Sequence, residues 1–263
     1  MDLLTEGVYD KGIFKAVFMA GGPGSGKSFM AKNIFGIPDK ANVSVSGLRT
    51  VNSDKQFMYM LKKYGFDPTE LARYPDEVFT RLGAPMKHGG SGLRDMAQAL
   101  KAERKKGYMA GKLGMVIDST ASNFQKVKKQ KKELEKQGYD TYMVFVMTSL
   151  EVALQRNTAR AEKGERELPK SIVTKSWKDA RKNVGVLKAL FGSNFKLVSN
   201  DKHLKPKEAK HAFSSLVKKY AVNWVNEPIK NPIGKQWVKD QLRLKKAGLD
   251  KGIPKRSKGI GYK

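Results

Sequence analysis

Short apolar runs alternate with longer amphipathic segments through the first 200 residues of the chain. Five runs rich in β-branched, aromatic and other apolar residues are predicted to be buried strands, at residues 13–20, 48–53, 113–120, 141–148 and 194–201. Between them, apolar residues recur at helical spacing, most clearly in residues 54–65, 93–112 and 123–139. Strands that alternate with helices predict an α/β fold with a parallel sheet covered on both faces.

The character of the chain changes in two places. Residues 66–92 are rich in Pro and Gly and are predicted to form loops and short helices. Beyond residue 201 the chain becomes basic, with one helix before residue 225, a short helix at 236–248 and an extended arm. We therefore predict a domain at 1–201 followed by a basic C-terminal helix and tail at 202–263.

The charge of the chain points to a polyanionic partner. Its formal net charge is +27, which is far more than a kinase of a small metabolite needs. Contacts with phosphates release counterions and would offset the self-repulsion, so we expect nucleic acid, preferably DNA, as a partner. The alternative explanation of the charge is a basic, highly soluble surface without such a partner.

Other features of the composition restrict the location and the chemistry. The chain has no cysteine, which excludes disulfides, thiolate metal sites and cysteine nucleophiles. It has no run of eighteen apolar residues and no secretory signal at its beginning, so we expect no membrane association and a cytoplasmic location, in the host if the gene is viral. The sequence indicates no protein partner.

A phosphate-binding loop is the most specific motif in the sequence. Residues 21–28 read GGPGSGKS and match the pattern G-x-x-x-x-G-K-[ST], with a predicted strand before them and a predicted helix after them. Glycines let backbone N–H groups turn toward phosphate oxygens, and the helix N-terminus adds its positive dipole end. Lys27 is predicted to bridge the β- and γ-phosphates and to act in catalysis, and Ser28 is predicted to bind Mg²⁺. The predicted ATP-binding residues are Gly22, Gly24, Ser25, Gly26, Lys27, Ser28 and Phe29.

Two aspartates follow predicted strands, where the ends of parallel strands face a ligand crevice. Asp54 comes after the second strand and is predicted to be the base that accepts a proton from the acceptor hydroxyl. Asp118 ends the strand MVID and is predicted to hold Mg²⁺, with contact to the acceptor as an alternative. For both residues, capping of the next helix is the structural alternative.

Arginines after the fourth strand are candidates for a lid over the phosphates. Arg156 and Arg160 are four residues apart and can share one helical face, and Arg166 follows in a polar loop. Guanidinium groups on a closing segment can neutralise the charge that develops on a transferred phosphoryl group. A solvated surface helix is the alternative for each of them.

Three further sets of residues have weaker interpretations. The lysines at 126, 128, 129, 131 and 132 stand beside two glutamates and are interpreted as a solvated helix face. The aromatic residues of the tail, Trp224, Trp237 and Tyr262, either stack on bases or anchor the tail on the core. The histidines at 88, 203 and 211 have no metal-binding spacing.

The motifs GGPGSGKS, VNSD, VIDST and VFVMTSLEVALQRNTAR together resemble the zeta-toxin and polynucleotide-kinase group of P-loop kinases, over roughly residues 13–201. This resemblance implies a three-layer sandwich with a five-stranded parallel sheet, and ATP with Mg²⁺. It also implies an aspartate base after the second strand and arginines in a lid, roles that carry over to Asp54 and to Arg156, Arg160 and Arg166. The chain also looks like phage kinases that phosphorylate 5-hydroxymethyluracil within DNA.

The sequence favours an ATP-dependent kinase that phosphorylates a hydroxyl of DNA, preferably on 5-hydroxymethyluracil. A 5′-polynucleotide kinase and a zeta-toxin-like kinase of a UDP-amino sugar are the alternatives within the enzyme class. The basic tail departs from toxins, and no phosphatase domain follows the kinase. A nucleic-acid-binding protein that uses ATP only as a conformational ligand is the alternative from another class.

Overall fold

A computed structural model describes residues 7–38, 42–73, 92–202, 208, 211 and 213–249. Its centre is one parallel sheet with the strand order β2–β3–β1–β4–β5. The strands are β1 (Lys15–Ala20), β2 (Arg49–Val51), β3 (Met115–Ser119), β4 (Asp140–Met147) and β5 (Phe195–Ser199). Each lies in one of the five predicted runs or begins one residue before it, so the predicted α/β fold with a five-stranded parallel sheet is confirmed.

Helices connect the strands and cover the sheet. The helices of the first half are α1 (Lys27–Phe35), α2 (Asp54–Lys63), α3 (Leu93–Ala110) and α4 (Phe124–Lys136). Those after β4 are α5 (Leu150–Ala161), α6 (Lys170–Lys182), α7 (Val184–Phe191), α8 (Ser214–Leu216, continuing as a π-helix over Val217–Trp224) and α9 (Pro232–Lys246). Short 3₁₀ segments occupy Gly7–Tyr9, Pro68–Arg73 and Gly192–Asn194. In the part of the chain described, no helix has the length and apolar character needed to span a bilayer.

The side chains of each strand alternate between two apolar cores. On one face, Phe18 and Ile117 pack with α4 and α7, and on the other, Val17 and Val144 pack with α1 and the π-helical segment. Two small clusters stand apart from the sheet, one between α2 and α3 and one between α5 and α6. Helices on both faces of the sheet produce the three-layer arrangement and bury β1 and nearly all of β4, whereas β5 at the edge is partly exposed.

The C-terminal segment packs on the sheet domain through both of its tryptophans. Trp224 is 2% exposed, and its ring centroid lies 3.8 Å from that of Tyr142. Trp237 in α9 meets Phe14 edge-on at 5.4 Å. These contacts support the anchoring interpretation of both tryptophans, whereas Tyr262 lies outside the described residues.

Candidate active site

The phosphate loop joins the end of β1 to the start of α1, at the point where the strand order reverses. Its lysine, Lys27, is the first residue of α1, and Lys27 Nζ donates to the carbonyl oxygens of Gly21 (2.9 Å) and Gly22 (3.0 Å). Burial lowers the pKa of Lys27, and the nearby carboxylates of Asp118 and Asp54 oppose that shift. This is the position at which open parallel sheets bind ligands.

Two glycines of the loop are required by close approach of the surrounding chain. A Cβ on Gly24 would lie 2.3 Å from the carbonyl oxygen of Ala153 in α5, and a Cβ on Gly26 would lie 2.2 Å from Asn200 Nδ2. Both glycines also have positive φ angles, 74° and 85°. The loop is therefore fixed by α5 and by the end of β5, which the motif alone does not show.

A cleft of about 360 Å³ opens beside the loop, at the carboxyl ends of the strands. Its walls come from the loop, from α2 and α3, from the turn between β3 and α4, and from the segment after α5. Cationic side chains dominate the lining: Lys27, Arg94, Lys101, Lys126, Arg160 and Arg166. Two carboxylates, those of Asp54 and Asp118, lie among them. A cleft with this charge pattern suits an anionic ligand whose reacting group needs a base or a metal ligand.

Asp54 is the first residue of α2 and faces the cleft. Its Oδ1 accepts from Arg166 Nη2 at 3.3 Å, and its own N–H donates to Asn52 Oδ1 at 2.8 Å. Arg166 also lies over the ring of Phe57, with its guanidinium carbon 5.2 Å from the ring centroid. Burial lowers the pKa of Arg166, and the Asp54 carboxylate opposes this. The structure thus brings together the predicted base and the third predicted lid arginine.

Asp118 lies in β3 beside the loop lysine. Burial raises its pKa; Lys27 opposes the rise, Asp54 adds to it, and Lys101 opposes it. Lys101 Nζ donates to the main-chain carbonyl of Asp118 at 3.0 Å. The capping alternative does not hold, because Asn123 caps the next helix and its side chain accepts from Lys126 N.

The lid arginines have different surroundings. Arg160 lines the cleft, where its Nε lies 3.9 Å from Glu165 Oε2. Arg156 instead donates to the main-chain carbonyls of Asn200 (2.7 Å) and Lys202 (3.0 Å), and it does not line the cleft. Burial lowers the pKa of Arg156. The shared helical face predicted from their spacing therefore leads to two different environments, and the catalytic role of each arginine stays a prediction.

A second cavity of about 320 Å³ adjoins the same loop between α1 and β2. Its apolar wall is formed by Met19, Ala31, Ile37 and Val116. Its polar rim includes Asn42, Thr50, Asn52, Gln56 and Arg104, and the cavity reaches Lys27, Ser28 and Asp118. An apolar cavity with a few polar groups is the usual form of a site for an uncharged organic group.

Three residues at the site had not been predicted. Asn200 Nδ2 donates to the carbonyl of Ser25 at 2.8 Å and is the residue directly after β5, so the strand-end rule that found Asp118 also applies to it. Lys101 and Arg94 belong to α3, and nothing in the helical pattern distinguishes them from its other cations. Of the remaining predicted residues, Ser28 lines both cavities, and the side chain of Phe29 packs on Phe213.

Comparison with known proteins gives one family match. Residues 83–204 match the model of the Zeta toxin family, a little under half of the chain and a part that begins after the phosphate loop. The matched part contains Asp118 and the three predicted lid arginines. A search of curated proteins gives no significant match.

Solved structures give distant likenesses. A structure of AvrRxo1-ORF1:AvrRxo1-ORF2 with sulphate ions is 13% identical over 72% of this chain, with a TM-score of 0.49, and this chain spans only 55% of that one. A structure from the PezAT toxin–antitoxin system of Streptococcus pneumoniae is 14% identical over 89% of this chain and 87% of that chain, with a TM-score of 0.47. The tunicamycin resistance protein of Deinococcus radiodurans is 11% identical over 80% of this chain and 97% of that chain, with a TM-score of 0.39. Likeness at this level identifies neither substrate nor partner.

The class of the protein follows from the loop, the sheet and the family match taken together. A phosphate loop with lysine and serine at its end lies at the switch point of an all-parallel sheet. Residues 83–204, which come after the loop, are similar to the Zeta toxin family. The protein is a phosphotransferase of the kinase class, and it is similar to the zeta-toxin-like group of P-loop kinases.

Proposed function

We propose that this protein transfers the γ-phosphoryl group of ATP, with Mg²⁺, to a hydroxyl group of DNA, preferentially on a hydroxymethylated uracil base. The observation that carries the proposal is the cleft beside the phosphate loop, where six cations surround two carboxylates. Phosphoryl transfer depends on positioning and on neutralising charge around the phosphates, and this arrangement supplies both.

The phosphate loop and the start of α1 are the proposed ATP site. The backbone N–H groups of Gly22 and of residues 24–29, with the ammonium of Lys27, would hold the phosphates. The Ser28 hydroxyl and the Asp118 carboxylate line the same cleft and are the hard oxygen donors that Mg²⁺ prefers, so the residues present fit the metal. When bound there, Mg²⁺ would neutralise charge on the phosphates. The described residues contain no group of three or more His, Cys, Asp or Glu side chains that could hold a metal ion, so phosphates and water would supply the other ligands.

Asp54 is the proposed general base. Its carboxylate lies at the end of β2 and in the cleft, where it can accept the proton of an acceptor hydroxyl. Arg166 holds the carboxylate through one hydrogen bond of 3.3 Å, which leaves its other oxygen for the acceptor. Arg160 and Arg166 would neutralise charge on the transferred group.

Two observations support DNA as the acceptor. The net charge of +27 matches a polyanion, and cations continue from the loop across α3 and α4. The second cavity joins an apolar wall to amide side chains, as an extruded base requires, and it meets the cleft at Lys27, Ser28 and Asp118. The hydroxyl of a base held there would point into the cleft, where Asp54 lies. The cavity therefore favours a hydroxyl on a base over a hydroxyl at a 5′ end.

A zeta-toxin-like kinase of a UDP-amino sugar is the second candidate function. The family match over residues 83–204 favours it, and a soluble sugar nucleotide would also satisfy a cationic cleft. This candidate predicts weak binding to DNA.

The identity of the acceptor is tested by transfer of labelled γ-phosphate from ATP to four acceptors. These are closed circular DNA with and without 5-hydroxymethyluracil, linear DNA or RNA with a 5′-hydroxyl, and a UDP-amino sugar. Label on modified circles alone would establish a base kinase, because a circle has no ends. Label on linear ends would establish a polynucleotide kinase, and label only on the sugar nucleotide would overturn the DNA proposal.

The role of Asp54 is tested with Asp54→Asn. Loss of a general base lowers turnover by about 10²- to 10⁴-fold, while ATP binding stays within about twofold of wild type. Turnover is measured on the best acceptor, and ATP affinity by calorimetry. Glu151→Gln, an acid-to-amide change on the exposed first turn of α5, is the matched control and should retain full turnover. Full turnover in Asp54→Asn would remove this residue from the base role.

A further inference from the structure

Helix α4 presents a row of lysines to solvent along its outer side. Val127 and Leu134 are buried against the sheet, whereas Lys128, Lys129, Lys132 and Lys136, together with Gln125 and Glu133, line a shallow groove on the opposite side. Lys128, Lys132 and Lys136 follow one another at intervals of four residues, and Lys129 lies three before Lys132, so the four lysines share one side of the helix. We call these four lysines the α4 lysine row.

The glutamates of α4 do not neutralise this row. Glu133 Oε2 accepts from Lys105 Nζ of α3 at 2.8 Å. Glu135 pairs with Lys131, and its Oε1 also accepts from Thr141 Oγ1 at 2.9 Å. Among the described residues no acidic group pairs with any lysine of the row. The glutamates that indicated a balanced, solvated face in the sequence are therefore engaged elsewhere.

The helix that carries the row also borders the catalytic cleft. Asn123, which caps α4, lines the cleft together with Lys126 and Gln130 of the same helix. From this cap the helix continues over the sheet for 13 residues. That length corresponds to about 20 Å, or about six base steps of DNA. A strand whose reacting nucleotide lies in the cleft would have its neighbouring phosphates within reach of the row.

We propose that the α4 lysine row binds the phosphate backbone of DNA on one side of the reacting nucleotide. The proposal rests on the proposed function, since it assigns the DNA that enters the cleft to one face of the enzyme. Lysines on one helix face act as point charges toward successive phosphates and carry no sequence preference. The row thus increases the affinity for the polymer without touching the reacting hydroxyl.

The test compares a variant that lacks the four lysines of the row with a control variant that lacks four other lysines. Lys128, Lys129, Lys132 and Lys136 are changed to Gln in one variant. The control changes Lys11, Lys62, Lys63 and Lys196 to Gln; these are exposed lysines on other elements, and none of them lines the cleft. Both variants lose four positive charges, so any effect of net charge alone is equal in the two. Thermal unfolding and acceptor-independent ATP hydrolysis check that both variants are folded and active.

Binding to a fluorescent 30-mer DNA duplex is measured by anisotropy at several salt concentrations. We expect the row variant to bind at least about tenfold more weakly than the control, with a salt slope smaller by about three to four, because each lost phosphate contact lowers it by about 0.9. Transfer to DNA should fall through a higher KM, with kcat unchanged.

The outcomes separate the row from the proposed function. If the two variants have equal affinity and equal salt slopes while the wild type still phosphorylates DNA, the row does not bind DNA. The proposed DNA kinase activity would be unaffected by that result. Absence of both DNA binding and transfer to DNA in the wild type would overturn the two together.

Discussion

At the scale of single residues, the phosphate loop is held by a side chain far away in the sequence. Asn200 Nδ2 donates to the carbonyl of Ser25, 175 residues earlier, and the main-chain carbonyl of Asn200 accepts from Arg156. Asn200 is 5% exposed, so water does not replace this hydrogen bond easily. The geometry of the nucleotide site therefore depends on the end of β5.

We predict that Asn200→Ala weakens ATP binding. Loss of a buried hydrogen bond that fixes the loop costs about 1 to 1.5 kcal/mol, which corresponds to about a tenfold higher KM for ATP. Asn200→Asp keeps the shape but cannot donate, so it should raise the KM at least as much. The KM is measured with the thermal midpoint as a control for folding. An unchanged KM for ATP in both variants would show that the bond does not support the loop.

The predicted catalytic residues illustrate what a sequence reveals at this scale. Asp54 and Asp118 were predicted from their positions after strands, and the structure places both in one cleft. Arg156 and Arg160 share a helical face in the sequence, yet only Arg160 lines the cleft. Spacing determines which face of a helix a side chain occupies, but the neighbouring elements determine what it contacts.

At the scale of elements, one carboxylate joins the end of β5 to the start of α5. Asp201 Oδ1 accepts from Ser149 N (2.5 Å) and Thr148 Oγ1 (3.0 Å), and Oδ2 accepts from Ser199 Oγ (2.9 Å). These hydrogen bonds, led by the one from Ser149 N, lower the pKa of Asp201 below its ordinary value of 3.8. The carboxylate thus stabilises the helix N-terminus beside the phosphate loop.

We predict a pH-dependent loss of stability in Asp201→Ala. A carboxyl group whose pKa is lowered on folding contributes stability above its unfolded pKa and loses it as the pH falls through the folded pKa. The variant should therefore be less stable than wild type by about 1 kcal/mol at pH 7, a small value because the site is exposed. The difference should shrink below pH 3.8. Urea unfolding at pH 7 and pH 3 measures it, and a difference that is equal at both pH values would contradict the linkage.

Some helix boundaries differ from those that the local sequence predicts, and the differences have identifiable contacts. The apolar spacing of residues 171–192 by itself predicts one helical segment, but this part of the chain forms α6 and α7 with Asn183 between them. The side chain of Asn183 donates to the main-chain carbonyls of Ala121 and Ser122, both at 3.0 Å, and this fixes the break against the turn before α4. Helix α9 begins four residues earlier than predicted, at Pro232, because the side chain of Asn231 caps it.

At the scale of the whole molecule, Asp140 connects the sheet to the C-terminal segment. Asp140 Oδ2 accepts from Lys15 Nζ at 3.0 Å in a buried pair between β4 and β1. Its two oxygens also accept from the main-chain N–H groups of Lys230 and Asn231, at 2.8 to 3.1 Å. The chain before α9 is thereby fixed to the edge of the sheet opposite the active site.

We predict that Asp140→Ala is strongly destabilising. It leaves the buried ammonium of Lys15 and two N–H groups without a partner, which costs about 3 to 5 kcal/mol. Glu103→Ala is the control, because it removes an exposed ion pair with Lys106 and should cost less than about 1 kcal/mol. Denaturant unfolding measures both variants. A loss in Asp140→Ala no larger than in the control would mean that the C-terminal segment does not depend on this carboxylate.

Local patterns in the sequence predict most of the elements and the phosphate loop. Apolar runs and helical spacing identify strands and helices because each segment must bury a face, and a loop motif of eight residues carries its own geometry. Tertiary structure alone decided which polar groups meet. The contacts of Asn200 with Ser25, of Lys101 with the main-chain carbonyl of Asp118 and of Glu133 with Lys105 join residues on different elements of the chain. No local pattern encodes them, because they depend on how helices pack on the sheet.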